Sequence, residues 1–233
     1  MRYWLIVIVL LLNGIIQTQA QDDPYQIALE RIAEAEASEA TELELSGLGL
    51  TELTPEIGNL TNLRVLYMRM NQLSSLPSEI GLLSNLESLH LYGNQINTLP
   101  SEIGNLTSLQ RLNLGGNLLS SLPPEIGLLS NLEGLFLSDN QINILPSEIG
   151  NLTNLRVLYM RMNQLSSLPP EISNLINLRD LFLSDNQLSS LPSEISNLTD
   201  LETLYLVNNN LSSLPPKIEN LTNLCFLYRT DSN

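Results

Sequence analysis

Residues 63–73 read LRVLYMRMNQL, with apolar residues at 63, 66, 68 and 73 and an asparagine at 71. The same pattern returns 23 residues later as LESLHLYGNQI at 86–96, and five further steps of 23 residues lead to LETLYLVNNNL at 201–211. Seven copies in phase at one period indicate a repeat architecture, in which each copy forms one unit and stacks on the next.

Within each copy the alternation of side chains predicts a short β-strand. Leu66 and Met68 fall on one face, and Val65, Tyr67 and Arg69 fall on the other, which is the period of two that a strand requires. A single copy cannot bury its apolar face alone, so successive copies are expected to stack with their strands paired in parallel.

The second half of each copy has its own recurring pattern, as in LPSEIGLLSNL at 76–86. Pro77 fixes φ and opposes a long helix, so the segment after it is predicted to form a short helix or a 3₁₀ turn. Because this side is bulkier than the strand side, the stack should curve with the sheet on its concave face.

This LPxEIGNLxxL form resembles the 23-residue leucine-rich repeats of the SHOC-2-like and plant intracellular Ras-group-related families, which many bacterial proteins share. The resemblance covers residues 41–233. It implies an α/β repeat solenoid, the leucine-rich repeat horseshoe, with a parallel β-sheet on the concave face and short helices or 3₁₀ turns on the convex face. It also implies protein interaction as the usual function.

One asparagine per repeat is predicted to be part of the scaffold. An unpaired buried amide costs roughly 1–3 kcal/mol, so a polar residue at such a position is expected to satisfy loop backbone groups along the stack. The positions are Asn71, Asn94, Asn117, Asn140, Asn163, Asn186 and Asn209.

Two of the repeats are copies of one another. Residues 58–77, GNLTNLRVLYMRMNQLSSLP, recur letter for letter at 150–169, four periods later. Duplication in whole periods is the simplest explanation, so residues that match between the two segments are copies and not independently selected contacts.

The chain divides into three predicted parts. Residues 1–20 have a basic start, a short apolar run and small residues before position 21, which is typical of a cleaved signal peptide; an uncleaved membrane anchor is the alternative. Residues 21–40 are predicted to form an amphipathic helix that caps the repeats, with a partner-binding helix as the alternative. Residues 41–233 comprise a degenerate first repeat, seven full repeats and a partial last one, whose open end could pair with another copy.

Composition excludes several classes of function. The net charge is −15, so no dense basic face is present to neutralise nucleic-acid phosphates. One cysteine and one histidine exclude most metal clusters and catalytic triads, and no phosphate-binding glycine motif occurs, so we expect no enzyme, no cofactor and no metal site.

A row of glutamates recurs at one position of the repeat. A solvated face is the simpler interpretation, and a metal-binding row of carboxylates is the alternative. The row consists of Glu56, Glu79, Glu102, Glu125, Glu148, Glu171 and Glu194, and Lys217 interrupts it.

The aromatic residues mark the candidate binding surface. All eight aromatics after residue 40 fall at predicted outward strand positions, where a row of exposed rings suits either partner binding or the stabilisation of the sheet. Tyrosine and arginine are favoured anchors at interfaces. The candidate partner-binding residues are Tyr67, Arg69, His90, Tyr92, Phe136, Tyr159, Arg161, Phe182 and Tyr205.

The sequence therefore predicts a secreted, periplasmic or cell-surface scaffold that recognises a protein partner across its concave face. It is not expected to insert into a membrane after cleavage of residues 1–20. The alternative is a glycan-binding module, in which the aromatic stripe stacks on sugar rings.

Overall fold

The computed structural model describes residues 23–228, which form one helix followed by a nine-stranded parallel sheet. Helix α1 spans Pro24–Ala37. The strands are β1 Glu42–Glu44, β2 Val65–Tyr67, β3 Ser88–His90, β4 Arg111–Asn113, β5 Gly134–Phe136, β6 Val157–Tyr159, β7 Asp180–Phe182, β8 Thr203–Tyr205 and β9 Phe226–Tyr228.

The strands follow one another across the sheet in chain order, each paired in parallel with the next at a register of one whole repeat. Leu66 therefore pairs with Leu89, Leu89 with Leu112, and so on along the stack. These central leucines have no exposed surface from β2 to β8, so a single leucine core runs beneath the sheet. The predicted solenoid is confirmed.

The opposite side of each repeat contains a 3₁₀ helix, one of the two forms that the sequence left open. All but the last begin just after a proline or threonine and bury their isoleucine against the core, whereas the last follows Lys217 and leaves Ile218 partly exposed. The 3₁₀ helices span Pro55–Asn59, Ser78–Leu82, Ser101–Asn105, Pro124–Leu128, Ser147–Asn151, Pro170–Asn174, Ser193–Asn197 and Ile218–Asn220.

The repeated asparagines connect each turn of the stack to its neighbour. Asn117 Oδ1 accepts a hydrogen bond from Ile96 N at 3.0 Å, while its Nδ2 donates to Leu91 O and Leu114 O at 3.0 and 2.9 Å. The same three kinds of bond recur at the other asparagines of the row, from Asn71 to Asn209. Their role in the scaffold is confirmed, since they satisfy backbone groups within the core.

Helix α1 lies over the first layer of the stack. Asp23 caps its first turn by accepting a hydrogen bond from Tyr25 N, and Ala28, Ile32 and Ala35 are buried in the same core as the leucines. The helix ends at Ala37, three residues before the predicted boundary, because Ser38 closes it and Glu39 takes the left-handed conformation at φ 51°.

The predicted signal peptide, residues 1–20, lies outside the described residues. Within residues 23–228, no helix has the length and apolarity that crossing a membrane requires.

Candidate partner-binding surface

Six of the nine candidate residues are the last residues of their strands and share one face of the sheet. Tyr67 ends β2 and His90 ends β3, and the other four, Phe136, Tyr159, Phe182 and Tyr205, end β5 to β8. All six side chains are half-buried, although none of them points into the leucine core. The register of the sheet aligns them into one row.

The rings of this row contact one another. We call Phe136, Tyr159, Phe182, Tyr205 and Tyr228 the aromatic ladder. Its successive ring centroids are separated by 5.1, 4.2, 4.6 and 4.2 Å, with an edge-to-face arrangement for the first two pairs and stacking for the last two. Each interior ring therefore has an aromatic neighbour on both sides, which covers much of its faces.

Mutual packing also changes the tyrosine hydroxyls. Burial, and to a lesser degree the charge of Asp180, raises the pKa of Tyr159. A hydrogen bond with Tyr228 is the main reason that the pKa of Tyr205 is raised. Both hydroxyls are therefore protonated at neutral pH and can donate or accept hydrogen bonds.

The remaining three candidates, Arg69, Tyr92 and Arg161, do not lie in strands, and this part of the prediction is wrong. Each strand has only three residues and ends two positions earlier, because the chain turns at residues such as Met70 and Met162, which have φ values of 53° and 56°. The three side chains are still exposed beside the row and border the concave face.

The two duplicated arginines have different surroundings. Arg161 Nε donates to Asp185 Oδ2 at 2.8 Å, and the pKa of Asp185 is lowered mainly by a hydrogen bond from Asn208 and then by this pair. Arg69 lies over the ring of Tyr67, with its Cζ 5.2 Å from the ring centroid, and its Nη2 lies 3.1 Å from His90 Nδ1.

His90 belongs to the row but, unlike the aromatic side chains in it, has an imidazole whose charge depends on pH. Its ring stacks on Tyr67 at 4.9 Å with an angle of 11° between the planes. Burial lowers the pKa of His90, as do the charges of Arg69 and Arg111, while Glu44 opposes them. Because a guanidinium has only donors, His90 Nδ1 accepts from Arg69 and the ring proton resides on Nε2.

The aromatic row is interrupted at β4, where Asn113 stands between His90 and Phe136. The gap is a surface depression of about 370 Å³, and its lining includes Arg111. Sequence reasoning missed Arg111 because only the second and third outward positions of each repeat were considered. The first outward position, which contains Arg111, would have identified it.

No arrangement for metal binding occurs in the part of the chain that the structure describes. Among residues 23–228, no three His, Cys, Asp or Glu side chains are grouped closely enough to hold a metal ion. The recurring glutamates are held singly: Glu79, Glu102, Glu148 and Glu194 each accept a hydrogen bond from the preceding serine.

The repeats match two family models. A model described as a leucine-rich repeat region matches residues 42–117 and 167–233, and a second leucine-rich repeat model matches residues 107–165. A comparison with curated proteins gives no match.

Solved structures with the same architecture come from bacteria and plants. A leucine-rich repeat protein of Leptospira interrogans is 35% identical with a TM-score of 0.67, and the alignment covers 83% of this chain and 57% of that one. The plant peptide hormone receptor RGFR1, solved in complex with RGF2, is 34% identical with a TM-score of 0.68, over 76% of this chain and 30% of the receptor.

A third similar structure is the leucine-rich repeat ectodomain of the membrane receptor kinase GASSHO1/SCHENGEN3 from Arabidopsis thaliana, in complex with CASPARIAN STRIP INTEGRITY FACTOR 2. It is 32% identical with a TM-score of 0.66, over 83% of this chain and 27% of that one. The chain thus spans a little over half the length of the bacterial structure and less than a third of the two plant structures.

Proposed function

Since the chain belongs to the leucine-rich repeat family, we propose that it is a secreted or cell-envelope scaffold that binds a protein partner across its concave face. The observation that carries this proposal is the aromatic ladder. It places five rings side by side on an open sheet face, where they cover no core. Partly exposed apolar surface of this kind, bordered by polar groups, is typical of interaction sites.

The relatives agree with a binding role. Two of the similar structures are receptors solved with a bound partner, RGFR1 with RGF2 and GASSHO1/SCHENGEN3 with CASPARIAN STRIP INTEGRITY FACTOR 2. Both resemble this chain in the repeat region, although each is much longer.

The arrangement of the rings favours a protein partner over a glycan. A sugar ring stacks on an open aromatic face, but Tyr159, Phe182 and Tyr205 each have a neighbouring ring within 5.1 Å on both sides. The rings also offer edges and tyrosine hydroxyls. These suit the mixture of apolar and hydrogen-bonding groups that a protein surface presents.

The extracellular location rests on residues 1–20 and their pattern of a basic start, an apolar run and small residues. Expression of the full chain in a secreting host, followed by N-terminal sequencing of the exported protein, tests it. We expect Gln21 as the first residue. An exported or membrane-bound protein that retains Met1 would support the anchor instead.

The binding role is tested by capture from envelope or host-surface extracts with residues 21–233 as bait. The comparison is with a triple variant, Tyr159→Ala/Phe182→Ala/Tyr205→Ala, shown to be folded by circular dichroism. We expect the native chain to capture a protein that the variant does not capture.

A matched control removes apolar surface away from the sheet. Leu82, Leu128 and Ile176 are each 57% exposed and lie in or just after the 3₁₀ helices. Their triple alanine variant should capture the partner like the native chain. Equal capture by the ladder variant would place the site elsewhere, and capture that free oligosaccharide abolishes would favour the glycan alternative.

A further inference from the structure

The depression at β4 is built by small residues between larger ones. Asn113 and Gly115 occupy the places where neighbouring repeats have rings or longer side chains. The ring of Phe136 leans over Gly134, so closely that a Cβ added to Gly134 would lie 2.9 Å from the ring. The result is a concavity of about 370 Å³ lined by Arg69, His90, Tyr92, Arg111, Asn113 and Phe136.

Most of the polar groups of the depression are hydrogen-bond donors. Arg69 and Arg111 contribute guanidinium groups, and His90 has its proton on Nε2 because its Nδ1 faces Arg69. Asn113 Oδ1 already accepts from Gly115 N at 3.1 Å, which leaves its amide Nδ2 to donate. This excess of donors favours a ligand that supplies acceptors.

Neither arginine of the depression has an acidic partner. The ion pairs among residues 23–228 join Arg64, Arg156, Arg161 and Arg179 to carboxylates on adjacent repeats, and none includes Arg69 or Arg111. In a chain of net charge −15, two arginines without an acidic partner thus line the same depression.

The duplicated segment shows how this charge is left unpaired. Arg161 pairs with Asp185, which lies 24 residues later, whereas the residue 24 positions after Arg69 is Gly93. The two arginines belong to segments of identical sequence, so the difference comes from the following repeat. Arg69 therefore lacks the negative charge that Asp185 supplies to Arg161, because Gly93 stands at the equivalent position.

We infer that the depression at β4 binds an aspartate or glutamate side chain of the protein partner, with a neighbouring apolar residue of that partner against Tyr92 and Phe136. A carboxylate matches the forked donors of a guanidinium, and the aromatic walls offer apolar surface beside the pair. This inference rests on the proposed function and specifies the chemistry of its partner.

The lowered pKa of His90 agrees with this assignment. The imidazole is neutral in the free protein because burial and the two arginines disfavour a third positive charge, with Glu44 on β1 opposing them. A bound carboxylate would add negative charge beside the ring and raise the pKa of His90.

The test uses a defined peptide, Ac-Leu-Asp-Leu-NH2, and its neutral counterpart Ac-Leu-Asn-Leu-NH2, titrated into residues 21–233 and followed by NMR of the His90 ring. Hydrogen bonds to a charged group justify an expected affinity about tenfold or more higher for the aspartate peptide. Equal affinity for the two peptides, or no saturable shift of His90, would overturn the inference.

A single substitution at position 93 removes the site without a large change in shape. Gly93 has φ +71°, a conformation that Asp139 and Asp185 adopt at the equivalent positions, so Gly93→Asp is compatible with the backbone. An added Cβ would meet Met70 Sδ, the flexible end of a side chain, and Met162 stands in the same relation to Asp185. We expect Gly93→Asp to pair with Arg69 and to abolish selective binding of the aspartate peptide.

Two matched variants separate charge from shape. Gly93→Asn adds a side chain of the same size without charge, so it should keep the preference for the aspartate peptide. Asp185→Gly frees Arg161 but leaves the depression unchanged, so it should also keep that preference. If Gly93→Asn abolishes binding as fully as Gly93→Asp does, or if Arg161→Met weakens binding as much as Arg69→Met does, the assignment is wrong. Inorganic phosphate that competes as tightly as the peptide would also overturn it in favour of a general anion site.

The peptide titration and the capture experiment fail independently. If the aspartate peptide is still preferred but the ladder variant captures the partner like the native chain, the carboxylate site stands and the proposed concave interface is contradicted. Capture that depends on the ladder, without any preference between the two peptides, would leave the proposed function intact and remove this inference.

Discussion

Phe182 and Tyr205 lie with their rings 12° from parallel and their centroids 4.6 Å apart, on adjacent strands of one sheet. Ring contacts continue along the aromatic ladder, edge-to-face with Tyr159 and stacked with Tyr228, so each ring is expected to contribute to the stability of the sheet as well as to the surface. Sheet stabilisation and the partner binding that we propose are therefore compatible in the same side chains, although the sequence presents them as competing interpretations.

The ladder's share of the stability can be measured with Phe182→Leu, which keeps much of the apolar area and removes the ring. Aromatic pairs contribute about 0.5–1.5 kcal/mol beyond their buried area, so we expect a loss of that order in the free energy of unfolding in urea. Tyr92→Leu is the control, because Tyr92 is 45% exposed and has no ring contact within the ladder. An equal loss in both variants would contradict a specific role for the ladder.

The leucine core should be far more sensitive than the exposed apolar residues. Leu135 has no exposed surface and pairs with Leu112 and Leu158 on its two neighbouring strands. Leu135→Ala is expected to lower the free energy of unfolding by about 2–5 kcal/mol, from lost burial and the cavity left behind. Leu128→Ala, at a residue that is 57% exposed, should change it by less than about 0.5 kcal/mol in the same urea titration.

The asparagine row should be equally intolerant of substitution. Asn117→Ala leaves Ile96 N, Leu91 O and Leu114 O without their side-chain partner inside the core. An unsatisfied buried group costs roughly 1–3 kcal/mol, so we expect a loss of at least about 2 kcal/mol in the free energy of unfolding. Asn131 makes a single exposed bond to Thr107 O, and Asn131→Ala is the matched control with little expected effect.

The sequence predicted what the period determines, namely the parallel order, the buried leucines and the asparagine row. It did not predict that the strands end before Arg69 and Arg161, because the left-handed turns that end them occur at Met70 and Met162, residues that rarely adopt that conformation. Only the packing of neighbouring repeats imposes it.

The sequence around Arg69 and Arg161 also could not predict that only Arg161 has an acidic partner. The two residues have identical neighbours for many positions on either side, and their environments diverge through the following repeats, where Gly93 and His90 stand in place of Asp185 and Phe182. The depression at β4 has the same origin, since it results from residues on four successive repeats and not from any continuous motif.

His90 offers a direct measurement of the charges in that depression, because it is the one histidine of the chain and its ring signals need no assignment. We expect an NMR titration to give a pKa below the ordinary value of 6.5. Burial is the main cause, so Arg69→Met and Arg111→Met should each raise the pKa only part of the way, whereas Glu44→Gln should lower it further. A shift in the same direction for all three variants would contradict the assigned surroundings.

The same shift determines how the stability responds to acid. The unfolded chain takes up a proton near the ordinary histidine pKa, while the folded chain resists it until a lower pH, so His90 contributes stability above about pH 6.5 that is lost as the pH falls through its lowered pKa. Urea titrations of the native chain and of His90→Gln, repeated between about pH 7.5 and 5, test this. The native chain should lose more free energy of unfolding on acidification than the variant, because the other titrating groups are common to both. If the two lose the same amount, the folded and unfolded states bind the proton equally and the lowered pKa of His90 is wrong.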